Sequence, residues 1–205
     1  MTTDPEMPKA SVAVMADPAP PTFWNVPNTL TVGRLGLSVV VFALIGFEQW
    51  LAALAVFGAA ALSDALDGYL ARKLNQVTPL GRQLDPLVDK VIVAGAYIYL
   101  LNVKGTGLYP WMVTTVVIRE LLIQGLRSHL EGAGQAFGAK TAGKIKTTFQ
   151  CLSICAILLT LSARPGPGSP WLIGRDALTW AAVGMTLYSG LGYIVAALPS
   201  LKNRP

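Results

Sequence analysis

The chain has 205 residues, of which 53% are hydrophobic and only 13% charged, with 16 Lys+Arg against 11 Asp+Glu. A soluble domain carries about 25% charged residues, so this composition cannot clothe a water-facing surface and points to a chain embedded in lipid. The net charge of +5 does not signal a nucleic-acid partner, because the cations are scattered along apolar segments rather than gathered in a solvated patch.

Residues 1–21 are rich in Pro and Ala, carry acids and contain no continuous apolar run. They lack the basic segment and apolar core of a secretory signal and read as a disordered cytoplasmic tail. Residues 22–205 read as one membrane domain. A bilayer core of roughly 30 Å needs about 20 mostly apolar helical residues. Six windows qualify: Leu30–Phe47, Leu51–Leu70, Leu84–Leu101, Trp111–Leu130, Thr141–Leu161 and Leu178–Leu198. Breaks separate them at Glu48-Gln49, Thr78-Pro79, Lys104-Gly105, Gly132-Ala133-Gly134 and the run from Pro165 to Pro170. The fold expected is an all-α integral membrane bundle of six transmembrane helices.

Basic residues orient it. With both termini inside, thirteen of the 16 Lys+Arg fall on or near the inner side, and only Lys104, Arg164 and Arg175 outside. That asymmetry predicts cytoplasmic termini in the cell (inner) membrane. Cys151 and Cys155 lie four apart on one helical face and read as buried thiols. Trp111, Trp171 and Tyr193 read as interfacial or packing residues.

The informative residues are charges within apolar windows. A charge at the bilayer centre costs at least about 2.5 kcal/mol on insertion scales. Asp64, Asp67, Arg72, Asp85, Asp89, Lys90, Arg119, Glu120, Arg127, Lys144 and Lys146 all occur in or beside spans, mostly toward the cytoplasmic ends of spans two to five. A shared polar cavity open to the cytoplasm accounts for this. At 100° per residue, positions 64, 67, 68 and 71 share one face of the second helix, and Asp85 and Asp89 share one face of the third. The short link from Leu74 to Leu80 predicts antiparallel, adjacent helices, so four carboxylates should converge. Bare carboxylates in a low-dielectric site repel one another and need protons or a cation. Hard oxygen ligands suit Mg²⁺ or Mn²⁺, and two such ions about 3.5–4 Å apart could clamp a phosphoryl transfer.

The run from Asp64 to Asp89 reads D-x-x-D-G-x-x-A-R, eight residues, then G-x-x-x-D-x-x-x-D. It resembles the signature of the CDP-alcohol phosphatidyltransferase family at every defined position: Asp64, Asp67, Gly68, Ala71, Arg72, Gly81, Asp85 and Asp89. The resemblance implies a six-span homodimer with a cytoplasm-facing active site and two Mg²⁺ or Mn²⁺ ions. It implies that Asp64, Asp67 and Asp85 act as metal ligands, and that Asp89 both holds metal and serves as general base. Gly68, Ala71, Arg72 and Gly81, with Asn28 and Thr31 from the segment entering the first span, would line the CDP-diacylglycerol site.

Two further stretches, Ile118 to Arg127 and Gly143 to Gln150, are similar to the branch of the family that forms phosphatidylglycerophosphate from sn-glycerol 3-phosphate. The resemblance covers about Asn25 to Gln150; the sixth span adds nothing to it. An anionic acceptor suits Arg119 and Arg127 on span four with Lys140 and Lys144 leading into span five, since arginine forks and lysine point charges both hold phosphate. The competing expectations are the same chemistry on another acceptor (forming cardiolipin or an inositol-phosphate lipid), a divalent cation transporter, and a lipid-binding scaffold.

Overall fold

The computed structural model describes residues 26–74, 79–132 and 141–202. The expected tail, residues 1–21, and Lys140 lie outside them. Regular structure among the described residues is helical: α1 Val26–Gly46, α2 Trp50–Leu74, α3 Pro79–Leu101, α4 Pro110–Gly132, α5 Thr141–Ala163 and α6 Pro170–Lys202. Each coincides with one of the six apolar windows. Two stretches, Gly143–Ala163 and Pro170–Ala196, are long and apolar enough to cross a membrane, and Val32–Gly46 and Trp50–Ser63 are shorter apolar stretches.

Proline sets three of the helix starts. Pro79, Pro110 and Pro170 each open a helix, where the missing N–H is one the helix would leave unused. The sixth window therefore begins earlier than expected, at Pro170 rather than Leu178. Ser169 supplies the cap: its carbonyl accepts from Leu172 N at 3.0 Å. This brings Asp176 inside α6, at the end opposite the signature aspartates. Arg175, expected in an outer loop, is buried. It pairs with Asp176 at 2.6 Å and donates to the Gly105 carbonyl, clasping the α3–α4 connection. At the first turn, Gln49 N meets Leu44 O at 2.8 Å and Glu48 N meets Ile45 O at 3.0 Å, with Glu48 at φ 57°. These are the paired bonds of a left-handed helix cap.

α5 and α6 form the most extensive contact; α1 packs on α2 and α3, α2 on α5, α4 on α6 and α3, and α3 touches α5. Small polar residues join α5 to α6: Ser153 bonds Thr179 at 2.9 Å, and Gln150 donates to Thr186 at 3.0 Å. Such bonds hold helices together where lipid offers no hydrophobic drive between them. The apolar core runs through Val41, Ile45, Phe57, Ala96, Leu100, Val116, Ile154 and Leu158.

α1 and α3 approach closely at Gly95. A Cβ there would lie 2.2 Å from the Phe42 ring, which is itself stacked on Tyr99 with centroids 5.1 Å apart. Gly95→Ala is therefore expected to cost about 1–3 kcal/mol by overpacking, read as a lower thermal midpoint in detergent. An unchanged midpoint would mean Phe42 moves aside freely.

Among the described residues α2 packs on α1 and α5, and α3 on α1, α4 and α5. The adjacency expected at the linked ends of α2 and α3 falls on residues 64–86, whose side chains lie outside the described residues. Away from those ends a cavity lies between the two helices.

Candidate active site

Asp89 and Lys90 are consecutive on α3 and so point about 100° apart. They serve two polar compartments on different sides of that helix. Asp89 faces a cavity of about 280 Å³ between α1, α2, α3 and α5, lined by Arg34, Phe57, Ala60, Ala61, Ile92, Val93, Thr147, Thr148, Cys151 and Leu152. Arg34 projects from α1, buried, and forms an ion pair with Asp89. The Arg34 carbonyl accepts from Ser38 at 2.9 Å. The Asp89 carboxyl stays about a third exposed, so it is charge-paired and still reachable from the cavity. Cys151 and Cys155 are half-buried rather than buried, because Cys151 forms part of the cavity wall.

The second compartment lies among α3, α4, α5 and α6. Glu120 on α4 is buried, as is Lys146 on α5, and Lys146 Nζ donates to Glu120 Oε1 at 2.5 Å. Arg119 Nη1 donates to Glu120 Oε1 at 3.1 Å and to Oε2 at 3.3 Å. Its Nη2 donates to Ser189 Oγ at 3.0 Å, and the guanidinium stands 5.5 Å over the Tyr193 ring. Lys90 donates to Gln124, and the charges of Glu120, Lys146, Arg127 and Arg119 all act on it. One carboxylate thus sits among several cations. A net positive cluster shielded from water attracts anions far more strongly than a solvated patch.

The two compartments share walls. Lys90 follows Asp89 on α3, and Lys146 precedes the cavity residue Thr147 on α5. An anion held by the cationic cluster would therefore lie next to the Asp89 cavity.

The structure treats the expected site residues unevenly. Asp89 lines the cavity. Asn28, Thr31, Asp64, Asp67, Gly68, Ala71, Arg72, Gly81 and Asp85 fall within helices, but their side chains lie outside the described residues. Position 64 is one turn beyond the cavity-lining Ala60 on α2, and position 85 one turn before Asp89 on α3. Arg119 joins the cationic cluster and Arg127 lies near Lys90, whereas Lys144 is exposed. Lys146, two residues on, is the α5 lysine that turns inward.

Arg34 was not expected at the site, Glu120 and Lys146 were expected in a shared polar cavity but given no role there, and Ser189 and Tyr193 of α6 were not expected there at all. The first three carried a signal, a charge inside an apolar window. Tyr193 carried none: of the two expectations, interfacial or packing, the second holds, since it is buried against Arg119.

Among the described residues no group of three or more His, Cys, Asp or Glu side chains gathers. The donor chemistry nonetheless suits a hard cation: a carboxylate on the wall of a cavity, with further carboxylate positions one turn away on each flanking helix.

A bundle of apolar helices around a carboxylate-bearing cavity and a cationic cluster defines a membrane protein built to handle an anionic group. A profile of the CDP-alcohol phosphatidyltransferase family matches residues 24–188. The chain is 35% identical over 197 residues to the CDP-diacylglycerol–glycerol-3-phosphate 3-phosphatidyltransferase of Bacillus subtilis, covering 88% of this chain and 98% of that protein. It is 36% identical to the protein of that name from Pseudomonas fluorescens, over 87% of this chain and 93% of the relative. To that from Escherichia coli it is 35% identical, over 88% and 99%. The chain belongs to the CDP-alcohol phosphatidyltransferase family.

Proposed function

We propose that this protein transfers the phosphatidyl group of CDP-diacylglycerol to sn-glycerol 3-phosphate, giving phosphatidylglycerophosphate and CMP. The observation that carries this reading is the 35% identity to the Bacillus subtilis enzyme over 98% of that protein's length. The buried Arg119–Glu120–Lys146 cluster beside the Asp89 cavity supports a phosphate-bearing acceptor. In the proposed arrangement the six helices all span the inner membrane of the cell, residues 1–21 form a cytoplasmic tail, and both termini and the site of the domain 22–205 face the cytoplasm. The protein works as a homodimer.

CDP-diacylglycerol enters from the inner leaflet with its tails left in lipid. Asn28, Thr31, Gly68, Ala71, Arg72 and Gly81 line its CDP moiety, the small residues leaving room for close approach. Two Mg²⁺ or Mn²⁺ ions, held by Asp64, Asp67, Asp85 and Asp89, supply charge neutralisation at the pyrophosphate when bound. Arg119 and Arg127, aided by Lys140 and Lys144, hold the acceptor phosphate. Asp89 takes the proton from the acceptor's 1-hydroxyl, and that oxygen attacks the phosphorus nearer the lipid, in line. The bond to the CMP phosphate breaks and CMP leaves. Positioning and charge neutralisation account for most of the rate.

Purified protein given labelled CDP-diacylglycerol should form product with sn-glycerol 3-phosphate and not with phosphatidylglycerol or an inositol phosphate. Product with either of the latter alone would move the assignment to another branch of the family. Chelation should abolish turnover, and added Mg²⁺ or Mn²⁺ should restore it; activity that survives exhaustive chelation would count against the metal ligands. A cation-transport reading gains no support from the packing. Apolar core residues fill the levels between the Asp89 cavity and the outer end of the bundle.

A further inference from the structure

We propose that Glu120 and α6 form a frame that positions Arg119, and through it sets affinity for the acceptor's phosphate; this rests on the acceptor site proposed above. The guanidinium is held on three sides. Glu120 takes Nη1 at 3.1 and 3.3 Å, Ser189 takes Nη2 at 3.0 Å, and the Tyr193 ring lies 5.5 Å beneath it. Ser189 is buried and commits its own proton to the Thr186 carbonyl at 3.2 Å, so its oxygen is fixed as an acceptor toward Arg119. Lys146, on the far side of Glu120, prevents that carboxylate from swinging away.

One donor remains. Arg119 Nε is buried and has no hydrogen-bond partner among the described residues. A buried donor left unmade is costly, and an arginine serving only to tie α4 to α6 would be expected to satisfy it. An oriented donor beside a cationic cluster is what an incoming phosphate oxygen requires.

Gly190 completes the frame. A Cβ at that position would lie 3.1 Å from Arg119 Cγ and 3.7 Å from Nε. The absent side chain is what lets the arginine stem lie against α6. Gly184, six residues earlier on the same helix, would meet nothing within 4 Å, so it reports the effect of Gly→Ala on α6 without the crowding. The sixth helix, which carries none of the signature residues, thereby acquires a role in acceptor affinity. Glu120, Ser189 and Gly190 act through Arg119 and are positioning residues.

The test uses the full chain in detergent micelles, with steady-state kinetics varying sn-glycerol 3-phosphate at saturating CDP-diacylglycerol and then the reverse, beside thermal unfolding. Arg119→Ala should raise the acceptor KM about tenfold or more, the scale of one charge-assisted hydrogen-bonded contact. Gly190→Ala and Glu120→Gln should each raise it about three- to tenfold on the same scale. For both, donor KM should stay within about twofold; the thermal midpoint should hold for Gly190→Ala and fall for Glu120→Gln by less than it does for Glu120→Ala. Gly184→Ala should change neither constant. If Arg119→Ala leaves the acceptor KM unmoved, the acceptor site itself is wrong. If Arg119→Ala acts but Gly190→Ala and Glu120→Gln lower only the thermal midpoint, the frame is structural and the proposal is overturned. Should Gly190→Ala not accumulate, Ser189→Ala decides together with Glu120→Gln, since it removes the Nη2 acceptor without adding volume.

Discussion

Asp89→Asn should lower turnover by about 10³-fold, within the range that a positioned general base contributes, while CDP-diacylglycerol still binds. The substitution is nearly isosteric and keeps a hydrogen-bonding group facing Arg34, but it removes the only described carboxylate on the cavity wall. The ion pair with Arg34 aims Asp89. A base aimed by a second residue should depend on that residue more weakly than on itself. Arg34→Gln is accordingly expected to cost turnover about tenfold, on the lower side of the same range. The comparison requires kcat from single-turnover and steady-state assays, with donor binding measured separately. Full activity in Asp89→Asn would remove the base assignment. A loss of donor binding equal to the loss of turnover would recast Asp89 as a ligand-holding group alone.

The second large effect concerns stability. Glu120→Ala should destabilise the protein by about 3–5 kcal/mol, the cost of removing one partner from a buried ion pair. The Arg119, Glu120 and Lys146 side chains are 10%, 5% and 5% exposed, so deleting the carboxylate leaves two cations facing each other with little water to screen them. For a chain of this size that corresponds to a thermal midpoint lowered by roughly 10 °C. Glu120→Gln should lose less, because an acceptor remains for both donors. Pairing Glu120→Ala with Lys146→Met should recover part of the loss, since the second change removes one of the two stranded charges. A midpoint within about 1 °C of the parent for Glu120→Ala would mean that water reaches the cluster and that its burial is not maintained in solution.

Helix count, approximate helix limits and the signature acids were all legible in the chain. The reason is that each is a local property: apolar run length, proline and glycine breaks, and spacing along one helix. The early start of α6 was legible too, in Ser169-Pro170, but was outweighed by the Pro- and Gly-rich run before it and by the charged pair Arg175-Asp176 just after. Those two charges looked like a loop because, taken singly, each opposes burial. In the fold they pair with each other and with the Gly105 carbonyl.

The sequence by itself determined that this is a lipid-embedded helical protein with acids and bases concentrated toward one end of its spans, and it placed the chain by resemblance in its family. Tertiary structure alone decided which of those charges meet. Periodicity says which residues share a helix face but not which face of another helix lies opposite. Hence Arg34 pairing with Asp89, Lys146 rather than Lys144 turning inward, and α6 bearing on Arg119 could not be read from spacing. Nor could the cavity bounded by α1, α2, α3 and α5, because a packing choice among four helices is not written in any one of them.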